Sequence, residues 1–239
     1  NERHAAWGNL ARKLAHEIKN PLTPIQLSID RIKNKFINQI TDKDQENFKE
    51  NLKIINNQIK QIENLVNEFS DFARMPKPIL QKNNLVILIK ENIKLLNELD
   101  NSIKINFSSN KQVITLDSDK EQLSRVIFNL IKNSIESIQQ KNQKNPNFIK
   151  KIDIELIDSN DHISISIIDT GIGFDNLRSD IKNILKPYFT TKKNGTGLGL
   201  SIVNKIINDH NGELEFFSII DGAKIEIKFK KNGSGNFNS

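Results

Sequence analysis

An imidazole stands beside a carboxylate at His16-Glu17, an amide follows at Asn20, and Pro21 comes directly after it. A reactive histidine needs a group from elsewhere in the chain to react with, and four downstream stretches could present one. Asn129 and Asn133 are one helical turn apart. Side-chain amides can hold a hard cation such as Mg²⁺, which keeps waters and phosphate oxygens as its other ligands. Asp169-Thr-Gly-Ile-Gly173 ends an apolar run. A carboxylate there can accept a hydrogen bond from an exocyclic amine, which tells adenine from guanine, and Gly171 and Gly173 let the backbone turn tightly and approach a ligand. Gly195-Thr196-Gly197-Leu198-Gly199 precedes a helical pattern, the setting in which backbone amides and a helix N-terminus cradle phosphates. It lacks the Lys-Ser/Thr ending of a P-loop and the strand–loop–helix context of a dinucleotide fingerprint. Pro187-Tyr-Phe-Thr190-Thr191 lies between the two glycine stretches, aromatic and hydroxylic, in an irregular segment of the kind that closes over a ligand.

These residues must be positioned by elements, and the periodicity of apolar residues supplies them. Leu10, Leu14, Ile18, Leu22, Ile25, Ile29, Ile32 and Phe36 step by four or three, the pattern of one helical face, so residues 1–37 read as one helix. His16 is two residues from both Leu14 and Ile18, about 200° away from that seam, and is expected to point outward. Pro21 and Pro24 fall inside the helix, where proline removes a donor and bends the axis. Thr41-Asp42 gives a turn and cap before a second helix with a heptad seam at Leu52, Ile55, Ile59, Ile62, Val66 and Phe69. Two such helices form an antiparallel hairpin whose apolar stripe exceeds what one partner helix can bury, so dimerisation into a four-helix bundle is expected. Packing of the hairpin on the second domain is the alternative.

Met75-Pro-Lys-Pro78 breaks the second helix and marks a domain boundary. Beyond it, the alternation predicts strands at Ile79–Gln81, Ile103–Ser108, Val113–Leu116, Lys151–Ile157, His162–Ile168, Glu213–Ser218 and Lys224–Lys230. Helices are predicted over Leu85–Leu99, from a Ser118 or Asp119 cap to about Gln140, and from the last glycine stretch to His210. Hairpins at Asp158–Asp161 and Asp221-Gly222 imply an α+β sandwich, a sheet covered on one face by helices. On the second of these helices Leu123, Val126, Ile127, Leu130, Ser134 and Ile138 form the inward arc, flanked by Asn129 and Asn133. The expected division is residues 1–75, 76–231 and a flexible tail at 232–239.

The chain has a net charge of +6 and no cysteine, so disulfides and thiolate metal sites are excluded. Its lysines are scattered among carboxylates, which argues for a solvated surface and against a nucleic-acid partner. No run reaches the roughly 18 apolar residues of a membrane span. The opening at Asn1 is expected to reflect a longer polypeptide.

His16-Glu-Ile-Lys-Asn-Pro21, Asn129-Leu-Ile-Lys-Asn133, Asp169–Gly173, Pro187–Thr191 and Gly195–Gly199 resemble the H, N, G1, F and G2 boxes of sensor histidine kinases. All five occur in the family's order, and the likeness covers about residues 8 to 230. The run from His16 to Ser28 is similar to the NtrY-type nitrogen-regulation subgroup in particular. The resemblance implies a helical phosphotransfer hairpin, dimeric through residues 1–75, followed by a GHKL-type ATPase domain. It implies that His16 attacks the γ-phosphate of ATP, that Glu17 accepts a hydrogen bond from the other ring nitrogen, and that Asn20 orients water for dephosphorylating a response-regulator receiver domain. Asn133 would hold Mg²⁺ with Asn129 in support, and Asp169, Gly171 and Gly173 would form the adenine pocket. Thr190, Thr191, Gly195, Thr196, Gly197, Leu198 and Gly199 would form the lid over the phosphates. It further implies a cytoplasmic location, with an inner-membrane anchor outside this chain.

Two positions depart from the family pattern. Lys186 stands where the family usually has glutamate, and Glu136 stands where many relatives carry a basic phosphate contact, leaving Lys132 or Lys192 as substitutes. Related ATPases of chaperone and DNA-repair type share the nucleotide boxes but lack a phosphoacceptor helix, and a dimeric scaffold without activity is a third reading. The hairpin that carries His16 argues against the former, and Glu17, Asn133 and the complete glycine set argue against the latter.

Overall fold

The computed structural model describes residues 2–99, 101–174, 185 and 197–231, which fall into two compact units, the first holding the residues up to Pro76 with Gly197 and Leu198, the second the remainder. The first unit is a helical hairpin, α1 (Glu2–Phe36) and α2 (Asp42–Arg74). α1 runs unbroken through Pro21 and Pro24. Neither proline has an N–H, so the carbonyls of Glu17 and Asn20, four residues earlier, lose their helical donors within a turn of His16. The connection is closed by Thr41, whose carbonyl accepts from the amides of Asp44 (2.9 Å) and Gln45 (3.0 Å), while its hydroxyl donates to Asp44 Oδ2 at 2.7 Å.

The seam read from the sequence divides in two. Leu22 and Ile29 of α1, with Leu52, Ile59 and Val66 of α2, are buried; nearer the start of α1 it is Ala11 and Ala15, outside that seam, that are buried, while Leu14 is 40% exposed. Leu22, Ile29, Leu52 and Ile59 form one cluster, joined by Phe48. The alternate heptad positions, Ile18, Ile25 and Ile32 on α1 and Ile55 and Ile62 on α2, remain 41–46% exposed. One hairpin therefore buries half of each heptad, as helix geometry requires when a helix has one neighbour.

The second unit opens with β1 (Gln81–Asn84) and α3 (Leu85–Leu99), then β2 (Lys104–Ser109) and β3 (Thr115–Ser118). α4 (Lys120–Lys144), β4 (Lys151–Asp158) and β5 (His162–Asp169) follow. The chain ends in α5 (Gly199–Asp209), β6 (Gly212–Ile219) and β7 (Gly222–Lys230). The main sheet has the order β2-β4-β5-β7-β6, with β1 and β3 forming a separate antiparallel ribbon. β2 pairs parallel to β4, and the other neighbours in the sheet are antiparallel.

One face of the sheet carries Ile152, Ile154 and Leu156, then Ile163, Ile165 and Ile167, then Ile225, Ile227 and Phe229, all buried. Register aligns them into cross-strand rows such as Ile154–Ile167–Ile225 and Leu156–Ile165–Ile227. The inward arc of α4 covers this face: Leu123, Val126, Ile127, Leu130, Ser134 and Ile138 are each at most 2% exposed. Burying each of these aliphatic side chains contributes roughly 1.5–3 kcal/mol, which makes this layer the main source of the domain's stability. The opposite face is a charge ladder, with Lys228 at 2.7 Å from Glu215 and 3.0 Å from Glu226, and Lys224 at 3.2 Å from Glu226.

Three boundaries differ from the alternation pattern. The expected strand at Ile79–Gln81 lies at the polar Gln81–Asn84, because its partner β3 fixes the register at Gln81–Ser118; Ile79 and Leu80 are 72% and 50% exposed. β3 begins at Thr115, leaving Val113 exposed. α4 runs one turn past Gln140, to Lys144.

Candidate functional site

On the hairpin, His16 is exposed, as its offset from the seam predicts, and Glu17 and Asn20 beside it are exposed too. Ala15 is 5% exposed and packs inward, so the turn that carries the imidazole is anchored by its neighbour and presents His16 to an incoming group.

The second unit gathers a tightly packed polar cluster at the C-terminal end of β5. Asp169 is 4% exposed. Its Oδ1 accepts from the Gly171 amide at 2.9 Å and its Oδ2 from the Ser134 hydroxyl at 3.0 Å. Burial pushes the Asp169 carboxyl above its ordinary value, against the lowering pull of the Gly171 and Ser134 hydrogen bonds, the Ala223 amide and the charge of Lys141. A desolvated carboxylate so placed binds a donor far more strongly than one in water.

The glycines around it are required by contact. A Cβ on Gly171 would lie 2.1 Å from Ser137 Oγ, the same oxygen that accepts from the Ile172 amide at 3.0 Å. Gly173 has φ +69°, and a Cβ there would meet the Gly222 carbonyl oxygen at 2.6 Å. Gly222 in turn sits so close that its own Cβ would fall 1.8 Å from the Asp169 carbonyl oxygen. Phe174 closes the loop by packing edge-on against Phe216, with ring centroids 5.7 Å apart.

α4 passes over this loop. It places Asn129 and Asn133 half-buried on its flank, and Lys132 exposed at 3.9 Å from Glu136. The helix start is fixed by Asp119, whose Oδ1 accepts from Gln122 N at 3.1 Å and whose Oδ2 accepts from Ile79 N at 3.0 Å. The Asp119 amide donates to His210 Nε2 at 3.0 Å, and His210 Nδ1 donates to the Ile206 carbonyl at 2.8 Å. This buried histidine thus ties the end of α5 to the start of α4. Burial raises the Asp119 carboxyl, but the amides of Ile79, Gln122 and Glu121, with His210 nearby, outweigh it and hold the group below its ordinary value.

Of the second glycine stretch, Gly197 has φ +70°, Leu198 is fully buried and Gly199 opens α5. Thr190, Thr191, Gly195 and Thr196 lie outside the described residues, as do the rest of the Pro187–Thr191 stretch, Lys186, Lys192 and the tail from 232.

A model of histidine kinase-, DNA gyrase B- and HSP90-like ATPases matches residues 118–233. A model of the His Kinase A (phospho-acceptor) domain matches residues 6–78. The chain belongs to the sensor histidine kinases. It is similar to the putative sensor histidine kinase NtrY-like of Rickettsia felis, 38% identical over 229 residues, 95% of this chain and 37% of that protein. To the nitrogen regulation protein NtrY of Azorhizobium caulinodans it is 35% identical, over 97% of this chain and 30% of that protein. The chain therefore spans 30–37% of the length of these curated relatives. Its fold matches the histidine kinase ThkA as crystallised with the response regulator protein TrrA, with a TM-score of 0.65 and 26% identity, covering 97% of this chain and 64% of that one. The helical region followed by a mixed α/β ATPase domain is the architecture of this family, and two-component signalling with an ATP-binding GHKL domain is its class of function.

Sequence reasoning passed over four residues that meet around Asp169. Ser134 carried a signal: it is the one hydroxyl in an otherwise apolar inward arc. Ser137, Lys141 and Gly222 carried none, since their places depend on how α4, the β5 end and the β6–β7 turn meet.

Proposed function

We propose that the chain is the catalytic core that binds Mg-ATP, phosphorylates itself on His16 and passes the phosphoryl group to an aspartate of a response-regulator receiver domain. The observation that carries this reading is an exposed His16-Glu17 pair in the same chain as a buried Asp169 whose two oxygens are already oriented by Ser134 and Gly171. In the reaction a lone pair on a His16 ring nitrogen forms the N–P bond to the γ-phosphorus, and the bond from phosphorus to the β–γ bridging oxygen breaks, leaving ADP. Glu17 accepts the N–H of the other ring nitrogen and so keeps the attacking nitrogen unprotonated. Asp169 accepts from the adenine amino group, with Gly171 and Gly173 giving the ring room. Gly195, Thr196, Gly197, Leu198 and Gly199, with Thr190 and Thr191, are assigned to contacting the phosphates. Catalysis is then mostly positioning and charge neutralisation.

Mg²⁺ suits the donors present. No cluster of three His, Cys, Asp or Glu side chains exists among the described residues, so a cation here relies on the Asn133 amide oxygen, supported by Asn129, together with phosphate oxygens. That mixed, hydrated shell is what Mg²⁺ prefers. It would offset negative charge on the transferred group. Lys132 is the cation of α4 nearest these amides in sequence, and its contact with Glu136 is long and exposed, a pairing that costs little to exchange for a phosphate.

The half-covered heptad supports a homodimer through residues 1–75, and the boundary after Arg74 supports a catalytic domain over 76–231. Asn20 is assigned to orienting water for dephosphorylation of the regulator. No described helix is long and apolar enough to cross a membrane; a cytoplasmic location, with membrane attachment through a segment outside this chain, follows from the reading as a sensor.

Incubation with γ-labelled Mg-ATP tests the proposal. The chain is expected to gain an acid-labile, base-stable label that is lost in His16→Gln. Label persisting in that variant would sink it. Mixing Asn133→Ala with His16→Gln protein adds a test of the dimer, since labelling in the mixture requires transfer between subunits.

A further inference from the structure

Lys141 is in the last turn of α4, well away from Asn133, and belongs to none of the recognised boxes. Its side chain is only 19% exposed. The ammonium donates to the Thr170 carbonyl at 3.1 Å and to the Asp221 carbonyl at 3.2 Å. It also lies 4.9 Å over the Phe148 ring and 3.8 Å from Asp221 Oδ1. Thr170 follows Asp169 in the chain, and Asp221 precedes Gly222. One side chain therefore staples the reading loop after β5 to the turn between β6 and β7.

The staple acts where spacing is tightest. Gly222 backs directly on the Asp169 carbonyl, and the Gly222 carbonyl in turn abuts Gly173. Asp221, at φ +62°, holds a left-handed conformation that costs energy outside glycine and needs outside support. Thr170 is fixed from its other side as well, its hydroxyl donating to the Ile149 carbonyl at 2.8 Å and accepting from Lys151 N at 3.1 Å.

We propose that Lys141 is a positioning residue for base recognition: by holding the Thr170 and Asp221 carbonyls together it fixes the height and direction of the Asp169 carboxylate, and so the preference for a base with an exocyclic amine. This rests on Asp169 reading adenine. A lysine suits the task because three tetrahedral donors can serve two carbonyls and an aromatic face at once. Its positive charge also opposes the rise that burial gives the Asp169 carboxyl.

The test compares ADP with inosine diphosphate, which carries an oxygen in place of the amine, by calorimetric titration in Mg²⁺ buffer. Wild type is expected to favour ADP. Lys141→Met keeps the length of the stem and removes the donors, and should cut the ADP-to-IDP ratio by about tenfold. Lys141→Arg, which can still bridge two carbonyls, should keep the ratio within about threefold. A Lys141→Met protein with native circular dichroism and an unchanged ratio overturns the proposal, as does equal weakening of both nucleotides. If Lys141→Met does not fold, Lys141→Gln replaces it: one amide cannot serve both carbonyls and the ring, so a full wild-type ratio there overturns the proposal too. Absence of any ADP preference in wild type would instead remove the adenine-reading role of Asp169 and the lysine's role with it.

Discussion

The Ser134 hydroxyl donates to Asp169 Oδ2 across 3.0 Å, joining the middle of α4 to the end of β5. The same helix carries Asn129 and Asn133, so the carboxylate proposed to read the base and the amides proposed to hold the cation share one rigid support. Sites on regular elements keep their geometry better than sites on loops.

Ser134→Ala should weaken ADP binding without unfolding the domain. The methyl group fits the apolar arc, but a buried carboxylate oxygen loses its donor, a defect of about 1–3 kcal/mol. Calorimetry should show a lower ADP affinity, and the thermal midpoint of the nucleotide-free protein should fall by several degrees while the fold is retained. An affinity equal to wild type would show that Gly171 alone orients Asp169.

Asp169→Asn should separate stability from binding. The Asp169 carboxyl is raised above its ordinary value of 3.8 by burial, so the folded state holds its proton more tightly than the unfolded state. Stability from this group is then fully present below the ordinary value and declines as pH rises through the folded one. The amide removes that decline. At pH 7 the variant should melt at or above wild type, while its ADP binding falls by more than tenfold. The stability difference should shrink on acidification towards pH 4. A variant clearly less stable at pH 7 would contradict the sign.

Much of this was legible from the chain. Period-3.6 and period-2 patterns located both hairpin helices, α3 to α5 and the β4–β5 and β6–β7 hairpins, because local sequence alone decides which face of each is apolar. The outward placement of His16 and the inward arc of α4 followed from the same counting. The parallel β2–β4 pair and the detached β1–β3 ribbon did not, since strand order is a matter of distant pairing. Ile79 and Val113 look like strand residues yet are exposed, because the register with β3 and the reach of Ile79 N to Asp119 overrule local propensity. The close packing behind Asp169 was hidden for a similar reason: Asp221-Gly222 reads as an ordinary hairpin turn, and only the fold brings Gly222 against Asp169.

Charging the uncovered half of the heptad should dissociate the dimer and spare the hairpin interior. Ile25 and Ile62 are 46% and 42% exposed in the single chain, whereas Ile59 is 5% exposed. Light scattering should give half the wild-type mass for Ile25→Asp with Ile62→Asp. Ile59→Ala should act differently, destabilising the hairpin by about 2–5 kcal/mol in a melt. A double-aspartate variant of unchanged mass would show that the dimer forms elsewhere.

Asp119→Ala should loosen the entry to the catalytic domain. The carboxylate caps α4 through Gln122 and at the same time holds Ile79, the residue after Met75-Pro-Lys-Pro78. Loss of an N-cap costs about 1–2 kcal/mol. The carboxyl lies below its ordinary 3.8, so its contribution is present at neutral pH and disappears as pH falls through the folded value. The stability gap between wild type and variant should thus be widest above pH 4 and close in stronger acid; it is opposite in sign to the Asp169→Asn difference, which also shrinks in acid. Asp119→Asn, which keeps an acceptor for one amide at a time and carries no charge, should fall between the two. Hydrogen exchange at the Ile79 amide should quicken in Asp119→Ala even where α4 stays protected. Unchanged protection at Ile79 would mean that the β1–β3 ribbon alone holds the strand that follows the linker.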